Sequence, residues 1–213
     1  MKKRLFGLIV LAIISQQSFA QNGDTDLRAS LQFGLKAGVN YSNVYDIQGE
    51  NFKANAKFGF TSGAFVAVPF GTFLGIQPEF ILSQKGFQAT GLILGSSYDL
   101  TRTTTYLDIP LFFAFKPFNH LSILLGPQFS YLLKEKNVFT NTLTSAQQEK
   151  EFTNDNIRKF TLCYSGGADL KYDRFVLSAR VGWDVLNNNG DGTTSTPQYK
   201  NVWFQATVGF QFL

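Results

Sequence analysis

Nucleophilic and metal chemistry need side chains that converge, and few groups capable of either occur along these 213 residues. There is one histidine, His120, and one cysteine, Cys163. His120 falls in a predicted tight turn, and Cys163 has neither a second thiol to pair with nor a nearby histidine to activate it. A catalytic triad or a zinc centre is therefore not expected, and Cys163 reads as a free, packed thiol. Glu79 and Asp108 could act as a glycosidase pair only across an open cleft. Asn187, Asn189 and Asp191, followed by Gly192, echo the first half of a calcium-binding loop. The echo is partial, because Asn stands first instead of Asp and Gln198 occupies the place of a bidentate Glu. The chain is expected to carry no cofactor and to be no enzyme.

The remaining charged groups are informative through where they recur. Lys36, Glu79, Lys85, Asp108, Lys116, Asp169, Arg180 and Asp184 each sit on the polar side of a period-two pattern, the signature of a strand. Phe33, Leu35, Ala37, Val39 and Tyr41 alternate with Gly34, Lys36, Gly38 and Asn40. Leu74 to Leu82 does the same, with Gln77 and Glu79 on the polar face. Further runs cover Leu107 to Phe115, Leu121 to Leu133, Phe160 to Leu170, Phe175 to Val185 and Val202 to Phe212, and Lys57 to Val68 adds a less regular eighth. Pro78, Pro110 and Pro127 lie inside these runs, where proline ordinarily signals an edge or a bulge.

Connections between the runs alternate in length. Pro69 to Thr72, Pro117 to His120 and Tyr172 to Arg174 are short. Ser42 to Ala56, Phe87 to Arg102, Lys134 to Arg158 and Asn187 to Lys200 are long, polar and read as loops. Eight strands with tight turns at one end and long loops at the other predict an all-β fold, an eight-stranded antiparallel up-and-down transmembrane β-barrel with its turns in the periplasm. Its apolar faces carry essentially no charge and would meet lipid. Its polar faces would meet in a centre just wide enough for side chains, where Lys36, Glu79, Asp108, Arg180 and Asp184 must pair into a plug.

Aromatic residues form 15% of the chain, with Phe alone at 23, and they recur at strand ends. Phe73, Phe115, Phe175 and Phe212, with Phe33, Phe118 and Phe210, would form an inner membrane-interface girdle. Tyr41, Tyr131, Trp183 and Phe204, with Phe58, Phe60 and Phe160, would form the outer one.

The first 20 residues read as a secretory signal: Lys2, Lys3 and Arg4, a short apolar stretch, then Ser18 and Ala20 before the expected cleavage. Residues 21–31 then form a periplasmic N-terminal segment and 32–213 the barrel domain. Losing Lys2, Lys3 and Arg4 leaves 16 basic residues against 15 acidic ones, a nearly neutral chain. No basic stripe interleaved with aromatics marks a nucleic-acid surface.

The segments Gly34 to Asn40 (GLKAGVN), Gly75 to Gly86 (GIQPEFILSQKG), Tyr106 to Leu111 (YLDIPL), Leu125 to Tyr131 and Val208 to Phe212 make the chain resemble the PorT-like outer-membrane β-barrel family. The resemblance implies a compact barrel exported to the cell outer membrane, with lipid and the barrel assembly machinery as partners. For the namesake members it also implies a link to protein secretion. One departure is that Leu213 follows Phe212, where such barrels usually end in an aromatic residue. The functional expectation is a scaffold or interaction protein that meets an unidentified envelope or extracellular protein. A small transport or channel protein and a secreted soluble ligand-binding barrel are the alternatives.

Overall fold

Period-two alternation over this much of the chain forces extended backbone, and extended backbone must find hydrogen-bond partners on both edges. In the computed structural model the residues described are 26–45, 53–93, 96–141, 144–149, 157–189 and 199–212. They contain nine strands: β1 (Gln32–Tyr45), β2 (Lys53–Pro69), β3 (Leu74–Ile93), β4 (Ser96–Phe118), β5 (Leu121–Asn141), β6 (Thr144–Glu149), β7 (Phe160–Tyr172), β8 (Phe175–Asp184) and β9 (Lys200–Gln211). All but β6 join one ring, each strand antiparallel to its neighbour. The ring closes where β1 meets β9, from Gly34 opposite Gln211 to Tyr45 opposite Lys200. This is a closed eight-stranded antiparallel barrel, and closure removes the free edges that an open sheet would expose. Among the described residues no helix is long and apolar enough to cross a membrane, so any crossing falls to the strands.

The three tight turns stand at one end. Gly71 takes φ +84° in the β2–β3 turn, and Asp173 adopts φ +52° between β7 and β8, a conformation that Asp tolerates better than most side chains. The three prolines neither end a strand nor create an edge. Pairing of β3 with β4 passes from Pro78 opposite Leu111 to Ile81 opposite Asp108 in constant register, skipping the two pairs beside Pro110. Pairing of β4 with β5 likewise passes from Pro110 opposite Gln128 to Phe113 opposite Leu125. Each proline omits a ladder bond, and the neighbouring pairs hold the strand in place.

The barrel is turned inside out relative to a water-soluble protein. Leu35, Phe80, Leu111, Leu125, Phe129, Leu177 and Phe204 all face outward and are exposed, whereas Lys36, Glu79, Asp108, Gln128, Arg180 and Gln205 face inward and are buried. A soluble barrel holding an apolar ligand would show the reverse arrangement, so that alternative is set aside.

The structure corrects the reading of the long loops. Strand β3 is 20 residues long and β4 is 23, where a tilted crossing needs only about ten. The segments Phe87 to Ile93, Ser96 to Arg102 and Lys134 to Asn141 continue the barrel wall instead of leaving it, and β6 folds back on β5 as an added hairpin arm. The physical reason lies in what the outward face must meet. Beyond Leu82 that face of β3 becomes Gln84, Gln88 and Thr90, while the inward face becomes Phe87 and Ala89. Phe87, Ala89, Val44 and Tyr199 build a small apolar core inside this upper storey, with Leu100 and Ala54 packed on it. On β3 the alternation thus continues with its polarity reversed, polar residues outside and Phe87 and Ala89 inside. On β5 a register shift opposite Thr105 and Tyr106 re-phases the strand between Leu132 and Lys134. Such a bulge interrupts period two and hides the continuation.

Candidate functional site

Moving the polar faces of eight strands inside brings together side chains that lie far apart in sequence. In the lower layer Lys36 Nζ donates to Glu79 Oε2. The other oxygen of Glu79 accepts from Gln77 Nε2 at 3.0 Å, and Gln77 also donates to Asp169 Oδ2 at 3.0 Å. Arg180 closes the set, 2.6 Å from Asp169 Oδ1 and 3.5 Å from Glu79 Oε1, with its second amino nitrogen 2.9 Å from the Ala168 carbonyl. Two cations therefore face two carboxylates on β1, β3, β7 and β8, which ties opposite walls together.

One layer up, Lys85 stands 2.9 Å from Asp108 Oδ2 and 3.6 Å from the centroid of the Trp203 ring. Asp184 is different, because its partners are neutral donors. It accepts from the Asn201 backbone N–H at 2.9 Å, from Asn201 Nδ2 at 2.7 Å and from the Cys163 thiol at 3.1 Å. It thereby holds both ends of the β8–β9 connection. The five interior residues expected to pair do not form one network: Lys36, Glu79 and Arg180 meet, Asp108 joins Lys85, and Asp184 stands apart as a clamp. Which groups would meet was hidden in the sequence because the partners are set by strand register. Trp203, the ring against Lys85, was missed; its place between the outward Val202 and Phe204 was the available signal.

Very little space is left between these layers. A cavity lined by Glu79, Asp108, Gln128, Arg180 and Trp203 measures about 10 Å³, near the lower limit for one water. Glu79 and Asp108 share that cavity, which has no room for a sugar. His120 is exposed in its turn, with Nδ1 3.1 Å from the Lys171 carbonyl oxygen. The Asn187 backbone carbonyl accepts from Arg158 Nε at 3.2 Å, and Asn189 pairs with Ile157 in an isolated β-bridge. Asp191, Gly192 and Gln198 lie outside the described residues, among which no group of three or more His, Cys, Asp or Glu side chains could hold a metal.

Outside, the aromatics gather into two bands. Phe33 stacks on Phe212 at 5.3 Å and Phe210 packs edge-on against Phe175 at 5.8 Å, with Phe73 and Phe115 exposed at the same end as the tight turns. At the other end Tyr41 meets Phe58 at 4.9 Å and Tyr131 meets Phe160 at 4.6 Å, while Trp183 and Phe204 also point outward. Between the bands the wall is apolar. Over residues 19–189 the sequence matches the profile of a family described as outer membrane protein beta-barrel domain. The chain belongs to that family.

The outer-membrane barrel has similar architectures among solved structures. It is 14% identical to Ail, the attachment invasion locus protein of Yersinia pestis, covering 85% of this chain and 98% of that one with a TM-score of 0.48. Neisserial surface protein A is 11% identical, with coverages of 86% and 99% and a TM-score of 0.44. OprG of Pseudomonas aeruginosa is 13% identical, with coverages of 89% and 99% and a TM-score of 0.43. No curated protein sequence matches the chain. The family match carries the assignment.

At the turn end of the outer-membrane barrel a short 3-10 turn, Leu27–Ala29, leads into β1. Lys116 Nζ donates to the Arg28 carbonyl at 2.9 Å, the Arg28 guanidinium donates to the Pro117 carbonyl at 3.3 Å, and its charge lies 5.1 Å from the Phe73 centroid. Arg28 also binds Asp26 at 2.6 Å. Hydrogen bonds from its side chain and backbone hold the Asp26 carboxyl below the usual carboxylate range, and the same pairing raises Arg28. These contacts strap residues 26–31 to the rim beside β4.

Proposed function

We propose that this outer-membrane barrel is a closed anchor that presents a raised β-structured platform to a partner protein, rather than a conduit. The observation that carries the reading is the division of labour along the strands. The membrane storey is filled by ion pairs and hydrogen bonds around a cavity of about 10 Å³. The upper storey is an ordered wall with its own apolar core of Phe87, Ala89, Val44 and Tyr199. A polar-skinned β-structured wall with an apolar core of its own suits recognition, because a backbone already held in strands loses little conformational entropy on docking. Export by the N-terminal signal, insertion by the barrel assembly machinery and the secretion link suggested by the PorT-like resemblance belong to this reading. So does the absence of catalysis.

Planar-bilayer recording of the purified full chain tests the closed barrel, with no steady conductance expected; sustained single-channel current would overturn it. Photo-crosslinkers at Gln88 and Thr103, on the outward face of the platform, test the partner role. One discrete adduct, lost when the same crosslinker is moved to lipid-facing Leu125, is the expected result. A deletion strain with unchanged exported protein would remove the secretion link alone.

A further inference from the structure

The lipid-facing wall is not evenly bulky. On β1, β9, β8 and β7 the outward residues Ala37, Ala206, Ala179 and Ala168 each stand four positions along the strand from an aromatic residue at the turn end, Phe33, Phe210, Phe175 and Tyr172 respectively. Register sets them side by side: Ala168 lies opposite Ala179, Ala179 opposite Ala206, and Ala37 one pair away, opposite Val208. On β4 and β5 the residues four positions in from Phe115 and Leu121 are Leu111 and Leu125 instead. The four alanines floor a groove of about 340 Å³. Leu170, Leu177 and Val208 line that groove and also a second hollow of about 660 Å³, which opens at the turn end beside His120, Tyr172 and Phe175. The two hollows form one apolar trough from the turn end to mid-wall. Val39, Val181 and Phe204, the next outward residues towards the loop end, stand beyond its upper limit.

We propose that this trough seats one acyl chain of a periplasmic-leaflet phospholipid, whose phosphate is met at the turn end by Arg174 and His120. Four positions at about 3.3 Å each span ~13 Å of strand, within the depth of one leaflet of a hydrocarbon core about 30 Å thick. The trough opens at the turn end, which makes that leaflet the periplasmic one. Arg174 lies in the turn between Tyr172 and Phe175, is exposed, and pairs with no carboxylate among the described residues. His120 is exposed too, and its Nδ1 stands 3.1 Å from the Lys171 carbonyl, which leaves Nε2 for a ligand. The trough is continuous with the lipid-facing wall, and its open end is cationic. A molecule with an apolar chain and a phosphate matches both at once, the guanidinium offering its fork to the phosphate oxygens. A recess buries a chain on three sides where a flat wall buries one, so this lipid exchanges more slowly than its neighbours. The inference rests on the membrane placement of the barrel and not on the partner platform.

Native mass spectrometry of the detergent-solubilised full chain, titrated with phosphatidylglycerol and with diacylglycerol of the same chains, tests the trough. One phosphatidylglycerol is expected to stay bound under activation that strips detergent and every further lipid, while diacylglycerol is lost. Ala179→Phe and Ala206→Phe, which fill the floor from outside, should each weaken retention about tenfold, roughly what two buried methylene groups are worth. Ala64→Phe, an outward alanine on β2 away from the trough, should leave retention unchanged. Equal retention of the two lipids by the unmodified chain, or of neither, overturns the proposal without any variant having to fold. So does unchanged retention by an Ala179→Phe, Ala206→Phe protein whose electrophoretic shift on heating shows it folded. A lipid-free species of two chains that Ala179→Phe dissociates would assign the trough to a second copy and overturn the lipid assignment. None of these outcomes bears on the crosslinking test of the platform.

Discussion

Lys85 and Trp203 meet face to face inside the barrel, the ammonium 3.6 Å from the ring centroid, while the same ammonium lies 2.9 Å from Asp108. A cation held between a carboxylate and an aromatic face has exchanged its water shell for these two partners. The arrangement is favourable only as a set, since a lone charge in so dry a place is expensive.

Removing the cation should therefore hurt more than removing the pair. Lys85→Met leaves Asp108 buried beside an apolar chain and is expected to destabilise the barrel by about 3–5 kcal/mol. The double variant Lys85→Met, Asp108→Asn should recover most of that loss. Urea unfolding in detergent, followed by the electrophoretic shift between folded and heated samples, measures both.

Lipid contact makes a separate prediction. Leu125 is outward-facing and 60% exposed in the middle of its membrane crossing. Leu125→Arg is expected to cost about 2–4 kcal/mol because a charge at mid-depth must displace lipid. Gln88→Arg, also outward but on the upper storey, should change stability by less than about 0.5 kcal/mol. Equal effects at the two positions would mean that the apolar wall does not face hydrocarbon.

The strap at the turn end depends on pH through Asp26. Its carboxyl pKa lies lower in the folded chain than in the unfolded one, so its contribution is present above the unfolded value and is lost as pH falls through the folded value. Hydrogen exchange of residues 26–31 should accelerate as pH falls below about 4, the ordinary carboxylate range, relative to the base rate of exchange at each pH. Asp26→Asn should show the faster exchange already at neutral pH. Exchange in β1 beyond Gly34, tied on both sides, should not follow.

Much of this organisation was legible in the sequence, and the limit is instructive. Phe33 to Tyr41 announces its two faces because lipid and a polar plug demand opposite residue types on alternate positions. The stretch from Gln84 to Thr105 gives no such announcement. There water wets the outside, so Thr101, Thr103 and Thr105 can face outward while Arg102 and Thr104 face in, all of them polar. The pairing of Lys36 with Glu79 rather than with Asp108 was equally invisible, because it follows from the β1–β2–β3 register, which no local pattern records. The strap formed by Arg28 was missed for the same reason: its partners lie far off in sequence, Phe73 in the β2–β3 turn and Lys116 and Pro117 at the end of β4.

Cys163 offers a simple probe of closure. The thiol is fully buried on the inward face of β7 and donates to Asp184. A small maleimide should leave it unmodified in the folded barrel and label it stoichiometrically in urea. Rapid labelling under native conditions would reveal a water-filled interior and contradict the plug.

Gly182 gives the sharpest test of how the interior is packed. A Cβ there would lie 2.3 Å from the Trp203 ring, and the obstacle is the indole that also covers Lys85. Gly182→Ala must therefore push the ring off the ammonium or bend the β8–β9 pair, at a cost of about 1–3 kcal/mol. If the indole is the obstacle, the cost should nearly vanish when Trp203→Ala is already present, although Trp203→Ala alone is expected to lose about 3–5 kcal/mol. A double-mutant cycle on unfolding free energy reads the coupling directly, and Trp203 fluorescence in the single Gly182→Ala variant should shift as the ring moves. Additive losses would instead place the strain in the backbone, and the Lys85–Trp203 contact would then be a neighbour of Gly182 rather than its consequence.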